Sequence, residues 1–201
     1  MVSFLFLFFS SFFFLTGIAL ADFEIGVGVV DISASDEEIA TRRVFMGGYG
    51  FLGFRDGPIP KPATGVHDPI WARSFVVSDG NTTVMTAVID TAGISNKLLD
   101  RIRDETSRQT GVPVENILVG ATHTHSGPDL QGLWGYCPES YIDFMVNGTI
   151  ESLVSAFRTR RAARLMVSGA TGYANNRRGW GYTDTEITVS LSETFLVHKQ
   201  L

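Results

Sequence analysis

The sequence predicts an α/β fold, a mixed β-sheet flanked by helices. Three observations carry this. Short β-rich apolar runs alternate with longer amphipathic stretches through residues 23–191. Two of the runs flank an Asp-Gly pair, a strong hairpin signal. Two stretches repeat apolar residues at helical spacing and end at helix breakers. The composition agrees: 201 residues, 44% hydrophobic and 18% charged, is a globular balance and excludes a disordered chain.

Residues 1–21 read as a cleaved secretory signal. They hold seven of the fifteen Phe, carry no charge and end in Ala19-Leu20-Ala21, a small-x-small cleavage pattern. The alternative is a membrane anchor through residues 2–21, since about 20 apolar residues span a bilayer. The rest, residues 22–201, reads as one domain. Two sequons, at Asn81 and Asn147, fit a secreted glycoprotein. The single Cys137 excludes a disulfide framework and a Cys-rich metal site, and reads as a buried thiol. A net charge of −5 leaves no electrostatic footprint for nucleic acid.

The elements follow in order. Phe23 to Ile32 reads as a strand, with Gly26 and Gly28 alternating against Ile25, Val27 and Val29. Asp36 to Arg43 is polar and reads as a connection. Residues 46–69 are rich in Gly and Pro and read as a long irregular loop, of a length that is more often functional or disordered than decorative. Within it, Phe51, Leu52 and Phe54 either pack beneath the loop or contact a membrane or acyl chain. Trp71 to Ser78 and Thr82 to Asp90 form the hairpin around Asp79-Gly80. Asp90 either caps the turn or supports a His.

Ile94 to Thr110 is the first long helix, with Ile94, Leu98, Leu99 and Ile102 as its apolar stripe and Gly111 and Pro113 as its stop. Asn116 to Ala121 is a short strand, buried if the sheet is covered on both faces. Pro138 opens a helix to about Phe157, with Tyr141, Phe144, Met145 and Leu153 inward. Arg158, Arg160, Arg161 and Arg164 read as its solvated end, favoured by the helix dipole. Leu165 to Ala174 and Ile187 to Leu191 are further strands.

The chemistry concentrates in Thr122-His123-Thr124-His125-Ser126-Gly127-Pro128, where an apolar strand runs out into His-x-His. In an extended chain such a pair points to one side, about 6.5–7 Å apart, so both imidazoles converge on one cation or substrate. The other reading is two satisfied histidines at a strand end. Zinc needs three or four protein ligands, and only His67 and His198 remain. Downstream, Asn175-Asn176-Arg177-Arg178 at a strand end either orients carbonyl or oxyanion groups or forms a polar turn. His67-Asp68 belongs either to a site or to a loop cap.

In this order the segments resemble the N-terminal part of the neutral/alkaline non-lysosomal ceramidases. The residues that carry the resemblance are Gly26 to Ile32, Met46-Gly-Gly-Tyr49-Gly, Gly65-Val-His67-Asp68-Pro-Ile-Trp-Ala72-Arg73 and the strand ending at Asp90. Sharpest is Ala121-Thr-His123-Thr-His125-Ser-Gly-Pro128, with Asn176-Arg177 downstream. The resemblance covers roughly residues 24–190. It implies a secreted or membrane-associated zinc amidase that cleaves the N-acyl bond of ceramide, or of another N-acyl lipid, to sphingosine and a fatty acid. It implies His123 as a zinc ligand, His125 and Arg177 as oxyanion-stabilising catalytic residues, and His67 and Asn176 as supporting or substrate-binding residues. The family's second zinc His, its Glu and Tyr, and its Gly-Asp-x-Ser-Pro-like motif are not matched here. The expectation is therefore a catalytic domain incomplete at its C-terminus. The alternatives are a hydrolase with a different amide or ester substrate, or a non-catalytic secreted module that binds lipid or glycan.

Overall fold

The computed structural model describes residues 23–48, 52–53, 57–58, 60–135, 137–171 and 186–194. A six-stranded mixed sheet organises them. Its strands are β1 (Phe23–Asp31), β4 (Trp71–Ser78), β5 (Thr83–Ile89), β6 (Ile117–Ala121), β7 (Arg161–Thr171) and β8 (Glu186–Thr194), in the order β6-β5-β4-β1-β7-β8. All neighbours are antiparallel except β5 and β6, which run parallel. A two-stranded ribbon, β2 (Leu52–Gly53) and β3 (Gly57–Pro58), lies in the Gly-rich segment. The helices are α1 (Asp36–Ala40), α2 (Asn96–Thr110) and α3 (Glu139–Thr159).

The parallel pair dictates its own connection, because strands that run the same way need a crossover. Here α2 supplies it, and Gly111 closes that helix with its N–H on the Ser107 carbonyl at 2.8 Å. The β4–β5 turn is held by Asp79, whose Oδ1 accepts from the backbone N–H of Asn81 at 2.9 Å and Thr82 at 2.7 Å. Those bonds favour the ionised carboxyl and hold its pKa below the usual range.

The core lies between the sheet and α2 and α3. Ala72, Val76, Met85, Ala87, Ile89 and Ile117 face Ile102, Met145, Val146 and Leu153. At its centre α3 crosses β1 at very short range. A Cβ built on Gly26 would lie 2.8 Å from the carbonyl carbon of Ala156, and one on Gly28 2.8 Å from that of Ser152. The alternating glycines of β1 therefore meet α3 where it carries Gly148, Ser152 and Ala156, one per turn. Ser152 also hydrogen-bonds Ser74 of β4 across the buried interface, at 2.5 Å. Further along α3, Tyr141 donates its hydroxyl to the Ile32 carbonyl at 2.9 Å.

Several expectations are corrected. Residues 36–40 form a helix rather than a plain connection. Ser35 and Glu38 make a reciprocal capping box, which satisfies two backbone donors that a five-residue helix would otherwise leave open. Phe144 is 45% exposed, because α3 turns that face away from the sheet. The arginine cluster is not one helix end. Arg158 lies in the last turn of α3, whereas Arg160 pairs with Glu24 at 2.9 Å and covers Phe157. Arg161 and Arg164 belong to β7, which starts four residues earlier than expected.

The strand at 117–121 is buried on one face only: Ile117 is 1% exposed and Leu118 54%. Register explains this. Val27, Phe75, Thr86 and Leu118 form one rung across the sheet, and Val29, Arg73, Val88 and Gly120 form the next. Both rungs are on the face opposite α2 and α3. Cys137 is buried as expected, and burial pushes its thiol up to about 11. The signal or anchor segment and the Phe51–Phe54 patch lie outside the residues whose side chains are described. Among the described residues, no helix is long and apolar enough to cross a membrane.

Candidate functional site

Strand β6 ends at Ala121, and the chain turns at once. Thr122 keeps one more bond to the sheet, from its N–H to the Ile89 carbonyl at 3.0 Å. His123 then adopts a left-handed backbone, φ 61°. For a residue with a Cβ this costs about 1 kcal/mol or more, so the surroundings must hold it there. Thr122 and Thr124 fold the turn by accepting backbone N–H groups two residues on, at 3.4 and 3.2 Å.

The two imidazoles do converge, but not by strand alternation. Their ring centroids are 5.0 Å apart and nearly perpendicular. The left-handed turn at His123, rather than an extended backbone, underlies this arrangement.

The orientation of His123 is fixed by Ala92, whose carbonyl oxygen lies 2.6 Å from Nδ1. A carbonyl only accepts, so Nδ1 carries the proton and Nε2 of the neutral ring keeps its lone pair. A metal-binding imidazole is held in this way by a partner on its other nitrogen. His123 therefore fits a zinc ligand through Nε2. Among the described residues no group of three or more His, Cys, Asp or Glu is placed to hold a metal ion.

The loop after the imidazoles is strongly built. Asp129 is 2% exposed, and its carboxylate accepts three backbone N–H groups: Gln131 at 2.9 Å, Gly132 at 3.0 Å and Trp134 at 2.7 Å. Buried Thr91 donates to the Pro128 carbonyl at 2.7 Å. The Gly-rich segment runs alongside. Gly47 donates to the Gly127 carbonyl at 2.9 Å, and the Asp129 N–H donates to the Phe45 carbonyl at 2.8 Å. Sequence reasoning missed Ala92, Asp129 and the pairing of 45–47 with 127–129. Only Asp129 left a local signal, a carboxylate two to five residues before the amides it binds.

A cleft of about 600 Å³ opens on this side of the molecule. Its walls include Thr124, Ser126 and Pro128 of the loop, together with His67, Asp68 and Asp90. His67 borders the cleft but faces solvent, with Nδ1 2.9 Å from Asp68 Oδ2. The hydrogen bond and charge of Asp68 raise the pKa of His67 above 6.5. Asp90 takes the capping role, because Oδ2 accepts from the Trp71 N–H at 3.0 Å and from the Arg73 guanidinium at 2.9 Å. Asn176 and Arg177 lie outside the described residues. Asn81 is exposed at the β4–β5 turn, and Asn147 is exposed on α3, away from the imidazoles.

Fold and site together define a class: an α/β protein with a paired-imidazole loop at the carboxyl end of a parallel strand, where such sheets place ligands. Within that class the chain belongs to the neutral/alkaline non-lysosomal ceramidase family, whose N-terminal family model matches residues 23–184. It is 30% identical to the neutral ceramidase of Drosophila melanogaster over 118 residues, which is 57% of this chain and 15% of that protein. It is 25% identical to the neutral ceramidase of Pseudomonas aeruginosa over 171 residues, 78% of this chain and 23% of that protein. The crystal structure of the Pseudomonas aeruginosa enzyme has the same fold, with a TM-score of 0.67 at 22% identity, over 86% of this chain and 30% of that one. A ceramidase solved in complex with C2 matches with a TM-score of 0.63 at 21% identity, over 85% of this chain and 29% of that one. The chain thus spans less than a quarter of these two curated relatives and under a third of the two solved structures.

Proposed function

We propose that this chain forms the N-terminal part of a zinc-dependent amidase that hydrolyses the N-acyl bond of ceramide to sphingosine and a fatty acid. The single observation that carries the reading is the His123 ring, held through Nδ1 on the Ala92 carbonyl with Nε2 left for a metal. Family membership supports ceramide as the substrate class. Zinc, when bound, supplies an activated water and a polarised acyl carbonyl.

The protein's own residues do the rest. His123 offers Nε2 in a fixed direction, so little ordering cost remains when a metal binds. His125, at the edge of that ring, donates a hydrogen bond to the oxyanion as it develops. Arg177 adds a charge-assisted donor and Asn176 an orienting amide. Losing one such donor costs about 3–4 kcal/mol of transition-state stabilisation. His67, on the wall of the adjoining cleft, contacts a polar part of the lipid. The mature protein is secreted, with glycans at Asn81 and Asn147, and meets its lipid at a membrane surface.

The test is zinc content and fatty-acid release from ceramide, measured on the full protein and on His123→Ala. Loss of both in the variant supports the reading, whereas zinc and activity that survive His123→Ala overturn it. The alternative is a non-catalytic secreted module that binds lipid or glycan. That reading predicts ceramide binding with no zinc and no turnover.

A further inference from the structure

Two consecutive glycines, Gly47 and Gly48, pack against the two groups that set the imidazoles. A Cβ on Gly47 would stand 2.9 Å from the Cβ of Ala92, the residue whose carbonyl holds His123. A Cβ on Gly48 would clash with the His125 ring, 2.5 Å from both Cγ and Cε1. Gly48 also has φ +82°, a backbone that side chains rarely adopt.

The glycine segment is not free to retreat. The Met46 N–H donates to the Lys61 carbonyl at 2.8 Å, and Gly47 donates to the Gly127 carbonyl at 2.9 Å. Met46 bridges Pro128, and Phe45 accepts from the Asp129 N–H. Asp129 in turn is fixed by the three amides its carboxylate binds. The segment is therefore a braced wall, and the His125 ring lies against it in the space a side chain would fill.

We infer that Gly48 is a positioning residue: the absence of a side chain there sets where the His125 imidazole sits relative to His123. The inference rests on the proposed function only in assigning His125 to an active site. Its tests read ring placement and stability, so they stand or fall separately from zinc binding and ceramide cleavage.

The experiment compares Gly48→Ala, His125→Ala and the double variant in the full protein, with Gly120→Ala as the control. Gly120 is at the same end of β6 and has nothing within 4 Å of a built Cβ. In Gly48→Ala, the carbon-bound ring protons of His125 shift by several tenths of a ppm in NMR, while those of exposed His67 stay in place. Gly120→Ala moves neither. Gly48→Ala lowers Tm by about 5–10 °C, the scale of overpacking in a domain of this size. In the His125→Ala background that loss falls to about half, because the ring is gone and only the backbone strain of φ +82° remains. Unchanged His125 signals, or an equal Tm loss in both backgrounds, overturns the inference. If Gly48→Ala does not fold, a folded double variant supports the inference and an unfolded one overturns it.

Discussion

Where α3 crosses β1, the structure is held by shape; in the loop from Thr122 to Trp134 it is held by hydrogen bonds. In the first region Gly26 and Gly28 admit a helix backbone that any side chain would push away. In the second, one buried carboxylate, one buried hydroxyl and one carbonyl fix an irregular path. In the first region the atoms that meet Gly26 and Gly28 are helix backbone, and the Ser74–Ser152 hydrogen bond beside them is buried. The second carries a strained residue, His123, and two imidazoles at a surface. The scaffold tolerates strain at one place because packing elsewhere over-determines the fold.

The sharpest way to break the first region is Gly28→Val. The neighbouring atoms are helix backbone and cannot move aside, so a loss of about 3 kcal/mol or more is expected, with Tm down by about 6–12 °C. Thermal denaturation checks it; a loss no larger than that of Gly120→Ala would mean α3 shifts freely. Next comes Asp129→Ala, which removes the buried carboxylate that holds three backbone amides of a partly exposed loop. A cost of about 2–3 kcal/mol in urea unfolding is expected. Asp129→Asn, which keeps one acceptor oxygen, should lose less.

Smaller still is Ser35→Ala, which removes the capping box of α1 and should cost about 1 kcal/mol by the same measurement. It belongs to neither region, so it should leave the His125 ring signals unchanged. The smallest effect is at His67. Asp68→Asn should bring its NMR titration midpoint back down toward 6.5. The sign follows from the raised folded pKa: the His67–Asp68 pairing contributes fully below 6.5 and fades as pH rises through the folded value. Both groups are almost fully exposed, so stability should not change measurably.

The two regions also differ in how far they could be read from the sequence. The β4–β5 hairpin, α2 and α3 follow from Asp79-Gly80, the stripe at Leu98, Leu99 and Ile102, and Pro138, because these signals act over a few residues; Ile94, expected in the same helix, instead bridges Leu130 ahead of it. The capping box at Ser35 and Glu38 was legible by the same logic, although the stretch reads as a polar connection on composition. At the site, the sequence marked His123 and His125 by type and spacing. It did not give their geometry, since the chain turns left-handed at His123 instead of continuing as a strand, and the rings meet edge to face.

What the sequence by itself determined is the α/β class, most of the element types, the family and the two imidazoles. These rest on local periodicity, turn chemistry and one specific run, Thr122 to Pro128. Only the tertiary structure decided that β6 runs parallel beside β5, that β7 lies against β1, and that one face of β6 is left open. It also decided which nitrogen of His123 is free, because the partner is the Ala92 carbonyl, 31 residues away. Gly48 reaches His125 across a still longer separation. Such contacts follow from how the folded segments pack, and no pattern within a few residues encodes them.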